Sequence, residues 1–210
     1  MTLRQILRIE TSPFSRELWH AVDVADGLHR CPNMPPIPVV LNSSRTEEGA
    51  YHSLSRPSRP VKIEISRFAA YPALTLLHEI GHLLDHMALN PIKRGFGSEH
   101  DPLFEPLWKL WDKSGLMRTL RAMLAQMPTT LPKSRRFIRH QMLPSELWAQ
   151  TYMQWVVSRS RDLLLESQFR AARSETVTVG RHICDFCWED VEFQVIIKEV
   201  DRVFFKVGRL

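Results

Sequence analysis

Apolar and polar positions alternate with different periods along this chain, and the change of period marks its elements. Residues 15–30 carry Leu18, Val22, Val24 and Leu28 on an approximate 3.6-residue stripe, which predicts a helix. The proline-rich run from Cys31 to Pro38 ends it, because each proline fixes φ and removes a backbone donor. Residues 38–41 read as a short strand and residues 42–49 as a polar turn or loop. Val61-Lys62-Ile63-Glu64-Ile65 alternates apolar and charged side chains, the pattern of a half-buried strand. Apolar positions then crowd residues 71–89, which predicts a helix with Pro72 in its first turn and Asn90-Pro91 as its stop.

Residues 104–126 supply one or two helices carrying Leu107, Trp108, Leu110 and Trp111. Residues 128–132 form a linker, and a long helix is expected over residues 144–172. Residues 174–179 read as a strand and residues 191–207 as a helix. No internal repeat or low-complexity tract appears. The layout is α+β with helices dominant, and 210 residues suit one domain with elaborated ends.

Composition narrows the function classes. With 44% hydrophobic residues the chain can bury a real core. The net charge of +5 comes from scattered basic residues, with only short runs at 133–136 and 159–161. That is a solvated basic surface rather than a nucleic-acid interface. Trp108, Trp111, Trp148 and Trp155 lie at helical spacing and read as core, not as base-stacking platforms. Three cysteines, Cys31, Cys184 and Cys187, are too few for a disulfide framework and point to a reducing compartment. Nothing resembles a signal peptide or a membrane span, so a cytoplasmic protein is expected. Cys184 and Cys187 form a lone C-x-x-C with His182 nearby. They read as ordinary thiols, or as half of a metal or redox site whose other half is absent.

The segment His78-Glu79-Ile80-Gly81-His82 carries the chemistry. Residues four apart on a helix share one face, so His78 and His82 can aim imidazole nitrogens at one ion. Two such donors suit zinc, although manganese or cobalt would also accept them. Glu79 lies on the neighbouring strip, placed to act as general base toward a metal-activated water. Asp85 reads equally as a support for a ligand imidazole or as a solvated carboxylate. His86 continues the row, but a third ligand on a straight helix diverges, so it reads as packing or surface.

Catalytic zinc takes three protein ligands and a water. Asp85 and Ala88 stand where a longer H-E-x-x-H-x-x-G-x-x-H form would need Gly and His. Glu146 leads as third ligand, at the start of a strong helical pattern. Ala149 beyond it and Gly81 on the first helix are small enough for close approach, and Gln150 is one turn on. Glu105 is the runner-up, with Asp101 beside it.

Read together, His78-Glu79-Ile80-Gly81-His82-Leu83-Leu84-Asp85 and Glu146-Leu147-Trp148-Ala149-Gln150-Thr151-Tyr152 resemble the zincin-like metallopeptidases of the gluzincin type. The likeness is to the domains carried in phage and prophage polyvalent or head-associated proteins, and distantly to the anthrax lethal factor catalytic domain. It covers mainly residues 61–157, with a weaker echo at 186–193. The resemblance implies a zincin fold over residues 61–173, an N-terminal extension of residues 1–60 and a C-terminal extension of residues 174–210. It implies Glu146 as third ligand of one Zn2+ and a peptide or protein substrate, with a phage or prophage protein as a further partner. Two departures stand out. Gln150 replaces an acidic or arginine residue. The stretch before Glu146 lacks the tyrosine that stabilises an oxyanion in relatives, a role left to His140 or Arg139. The alternatives to a peptidase are a regulatory protein acting on one repressor, a phage assembly protein whose zinc is structural, and a toxin.

Overall fold

The computed structural model describes the chain apart from residues 56–57, 90–94, 176, 180–181, 185 and 209–210, and apart from the side chains of residues 55, 58, 177–179 and 182–184. The expected stop at Asn90-Pro91 and the side chains of His182 and Cys184 lie outside the described residues.

The alternation seen at residues 61–65 sets the sheet. Ile63 and Ile65 are buried, while on the opposite face Glu64 pairs with both Lys62 and His52. They belong to β4 (Ser58–Ser66), which lies between β2 (Ile37–Asn42) and β3 (Gly49–Ser55); β1 (Leu7–Ile9) flanks β2. β1, β2 and β4 run parallel, and β3 pairs antiparallel with β4 at the edge of the sheet. The register of β3 slips between His52 and Ser53. Thus residues 1–60 supply three of the four strands, and the 60/61 boundary falls inside β4. The same stretch adds α1 (Leu3–Ile6), closed by a Thr2–Gln5 capping box, and α2 (Ser15–Leu28).

Behind the sheet runs α3 (Pro72–Met87), buried on nearly every side. A helix apolar all round belongs in a core, and α3 packs against β3, β4, α2 and the later helices. Then follow α4 (Gly97–His100), a 3-10 turn (Pro102–Phe104), α5 (Glu105–Lys113) and α6 (Gly115–Gln126). The Ser114 hydroxyl caps α6 and so splits the 104–126 stretch. The residues after the linker form α7 (Pro132–Gln141), which the periodicity had not marked. The helix expected over 144–172 is two, α8 (Pro144–Ser160) and α9 (Leu163–Ser174). Arg161 takes the left-handed conformation at φ 55°, and Asp162 caps α9 by accepting from the Leu165 N–H. A short hairpin, β5 (Val177–Val179) with β6 (His182–Cys184), precedes α10 (Asp190–Lys206). Trp155 stacks on Phe204 of α10 and donates its indole N–H to Asp201. No helix among the described residues is long and apolar enough to cross a membrane. The architecture is mixed α+β with helices dominant.

Helices α3 and α8 touch at backbone distance. A Cβ on Gly81 would sit 2.8 Å from the Ala149 Cα, and Trp148 donates its indole N–H to the Gly81 carbonyl at 3.0 Å. Gly81→Ala must therefore push two backbones apart. It is expected to lower unfolding free energy by about 1–3 kcal/mol despite alanine's better helix propensity. Chemical denaturation checks this, and an unchanged or raised midpoint would contradict the close packing.

Candidate metal centre

That close approach aligns the site. Glu146 lies one turn before Ala149, in the first turn of α8, level with the His78–His82 row of α3. Glu146 Oε2 is 3.4 Å from His78 Nε2, and Oε1 is 3.4 Å from His82 Nε2. One nitrogen or oxygen from each residue lies within 4.8 Å of the others. Donors bound to one tetrahedral ion at about 2.0–2.1 Å stand roughly 3.3 Å apart. The spacing and the two-imidazole, one-carboxylate donor set therefore fit a divalent ion.

The charges express the same convergence. Burial opposes ionisation of Glu146, but hydrogen bonds from His140, His78 and His82 outweigh it and hold the carboxyl far below its usual range. Burial likewise disfavours charged His78. Glu146 and Glu79 overcome this and raise its pKa. His140, at the end of α7, reaches Glu146 Oε1 at 3.1 Å and is raised chiefly by that bond. Three imidazoles thus converge on one carboxylate.

Glu79 is buried beside the triad, and desolvation raises its pKa against the pull of His78 and His82. It is seated on the edge strand, where a Cβ on Gly49 would lie 2.8 Å from Glu79 Oε1. Any larger residue at 49 would have to displace the Glu79 carboxylate or Thr75 Cγ2, 2.6 Å away. A cleft of about 910 Å³ opens over the site. Residues 46–51 form one wall, and Phe137, His140 and Gln141 of α7 form the other.

The remaining candidates separate cleanly. Glu105 is 56% exposed and paired with Lys109, and Asp101 caps the 3-10 turn by accepting from the Leu103 N–H, so neither joins the triad. Gln150 bonds the His78 imidazole and donates to Cys187 Sγ at 3.2 Å, a supporting position. Of the two oxyanion candidates, His140 faces the cleft, whereas Arg139 lines a separate basic depression with Lys133 and Arg136. Asp85 is neither solvated nor bonded to a ligand imidazole. It is fully buried, accepts from the Ser98 N–H at 2.7 Å and from the Ser98 hydroxyl, and burial pushes its pKa up to about 7. Its work is to anchor residues 96–98, which bring Phe96 against His82. His82 Nδ1 is buried without a hydrogen-bond partner among the described residues. His86 is buried too, bonded to the Tyr51 hydroxyl. Tyr51, Gly49 and Phe96 carry no motif, and only the weak alternation of residues 49–54 hints at β3.

No family model, no curated protein and no solved structure matches this chain.

These shifts have a pH signature. Folded pKa values raised at His78, His140, Glu79 and Asp85 stabilise the metal-free fold below the groups' ordinary values, and that gain is lost as pH climbs through the raised ones. The depressed Glu146 acts oppositely, its contribution present above the ordinary carboxylate value and lost only in strong acid. From the ordinary carboxylate range up to about pH 7, where Asp85 titrates, and onward past the ordinary histidine value, the metal-free protein should therefore lose stability as pH rises. Metal binding, which competes with the same protons, should stabilise more over that range. Melting curves with and without zinc test both slopes, and a metal-free Tm that rises toward pH 8 would contradict the assignment.

Proposed function

We propose that this chain is a zinc-dependent peptidase of the gluzincin type, with His78, His82 and Glu146 as ligands and Glu79 as general base. One observation carries the reading: three converging donor atoms stand beside a buried carboxylate of raised pKa, at the floor of a cleft bordered by an edge strand. Zinc held there supplies Lewis acidity and a low pKa for a water molecule. Glu79 takes the proton of the attacking water and delivers it to the departing amine; buried beside the three donors, it is placed for both transfers. Gln150 steadies the His78 imidazole. His140, on the cleft wall, donates to the developing oxyanion. The outer edge of β3 offers backbone groups to an extended peptide.

The cleft also bears on substrate charge. Glu47, Glu48, Glu99 and Glu175 line it and no Lys or Arg does among the described residues, in a chain of net charge +5. A low-dielectric cleft of one sign concentrates ligands of the other. Incubating a mixed peptide library with zinc-loaded protein, and reading products by mass spectrometry, tests the reading. The expected result is cleavage enriched for Lys or Arg within about three residues of the cut, weakened by salt. Zinc-loaded protein that cuts nothing in the library would refute the peptidase reading. Cuts without charge preference would refute only the reading of the cleft.

A further inference from the structure

β3 is an edge strand, paired among the described residues with β4 alone. An edge strand has a free side and can shift relative to what lies behind it. Yet Glu79 depends on that strand. Gly49 leaves the space for its carboxylate, and the Tyr51 backbone donates a hydrogen bond to it. The wall that seats Glu79 is therefore only as steady as β3.

A contact two turns along α3 holds β3 in place. The Tyr51 hydroxyl lies 2.7 Å from His86 Nδ1, with the two rings 5.8 Å apart and tilted by 60°. His86 continues the row of His78 and His82 at the next turn, so Tyr51 binds the helix that carries two of the triad. Phe96 packs on both His82 and His86, at 5.6 and 5.9 Å between ring centroids, and closes the far side. One residue beyond Tyr51 the β3–β4 register slips, between His52 and Ser53. The regular part of β3 thus ends one residue beyond the tether. It spans Gly49 to His52, the stretch that faces Glu79.

We propose that the Tyr51–His86 hydrogen bond is a clamp that positions Glu79, by fixing the Gly49–Tyr51 segment of the edge strand against α3. The inference rests on the peptidase reading and makes Tyr51 and His86 positioning residues. Their side chains act on Glu79 through the strand, not on the substrate or the metal. Small displacements of a catalytic group are costly: about 1 Å can cost on the order of a hundredfold in rate. Loss of one hydrogen bond that only loosens the strand should cost less, on the order of tenfold.

The test uses the full chain with four changes: Tyr51→Phe, His86→Leu, His86→Gln and the double variant Tyr51→Phe/His86→Leu. Gln retains a side-chain acceptor for the tyrosine hydroxyl; Leu does not. With a peptide the zinc-loaded wild type cleaves, kcat should fall about tenfold in Tyr51→Phe and in His86→Leu, with zinc affinity and KM within about twofold of wild type. The double variant should be no worse than either single one, because both remove the same bond. His86→Gln should recover most of the rate. A second readout needs neither metal nor activity. Amide hydrogen exchange by NMR in the metal-free protein should show the Tyr51 N–H exchanging about tenfold faster in Tyr51→Phe, with β2 amides unchanged. Wild-type kcat in Tyr51→Phe, or unaltered exchange at Tyr51, would overturn the clamp. So would a kcat loss matched by equal loss of zinc, or additive losses in the double variant. Absence of any cleavage by wild type counts against the peptidase reading instead, and the exchange measurement then decides the clamp.

Discussion

Glu79→Gln is expected to abolish peptide cleavage, lowering kcat by about 10³-fold while zinc binding stays within a few-fold of wild type. Glutamine keeps the size and the hydrogen-bond reach of the side chain but cannot accept the proton of the attacking water. Glu79 lies buried beside the ligands without being one of them, so its loss should fall on turnover and not on the metal. Metal analysis and steady-state kinetics on one preparation settle both points. A variant with more than a tenth of wild-type kcat would remove Glu79 from the proton-transfer role.

Glu146→Ala should do the opposite and take the metal with it. Zinc of about one ion per purified chain should drop to a trace, with affinity reduced at least ~100-fold, since even changes behind the ligands cost 10–100-fold. Only His78 and His82 would then remain, and two donors leave the ion largely to water. Glu105→Ala is the control. Glu105 is exposed and held by Lys109, so its removal should leave zinc content unchanged. Full zinc retention by Glu146→Ala would dismantle the triad. Circular dichroism of the metal-free variant distinguishes loss of a ligand from loss of the fold, because Glu146 also balances three imidazoles.

Local pattern made much of this site legible. The spacing of His78, Glu79 and His82 is a statement about one helix, and α3 forms where the crowding of apolar positions predicted it. Gly81 and Ala149 announced a close helix contact, which the two backbones make. Helical context and a family resemblance favour Glu146 over Glu105, and the geometry places Glu146 with the two histidines. In each case the information lies within a turn or two of helix, where side-chain direction follows from spacing.

Other features depended on residues far apart. Asp85 had two readings of equal weight and took a third, because Ser98 reaches it from thirteen positions on and occupies both its oxygens. The pattern of residues 42–49 is that of a loop and residues 1–60 read as an extension, yet Gly49 opens the edge strand that seats Glu79. A polar edge strand has one unpaired side and little periodicity, so its place shows only when β4 pairs with it. The break at Arg161 was hidden because a left-handed arginine has no sequence signature as a glycine would. The chain's own pattern thus specified a helix presenting two imidazoles and a carboxylate, since helical periodicity is local. Which distant groups complete, seat and support them was left to packing, since contacts between α3, α8 and β3 join residues that no short window contains.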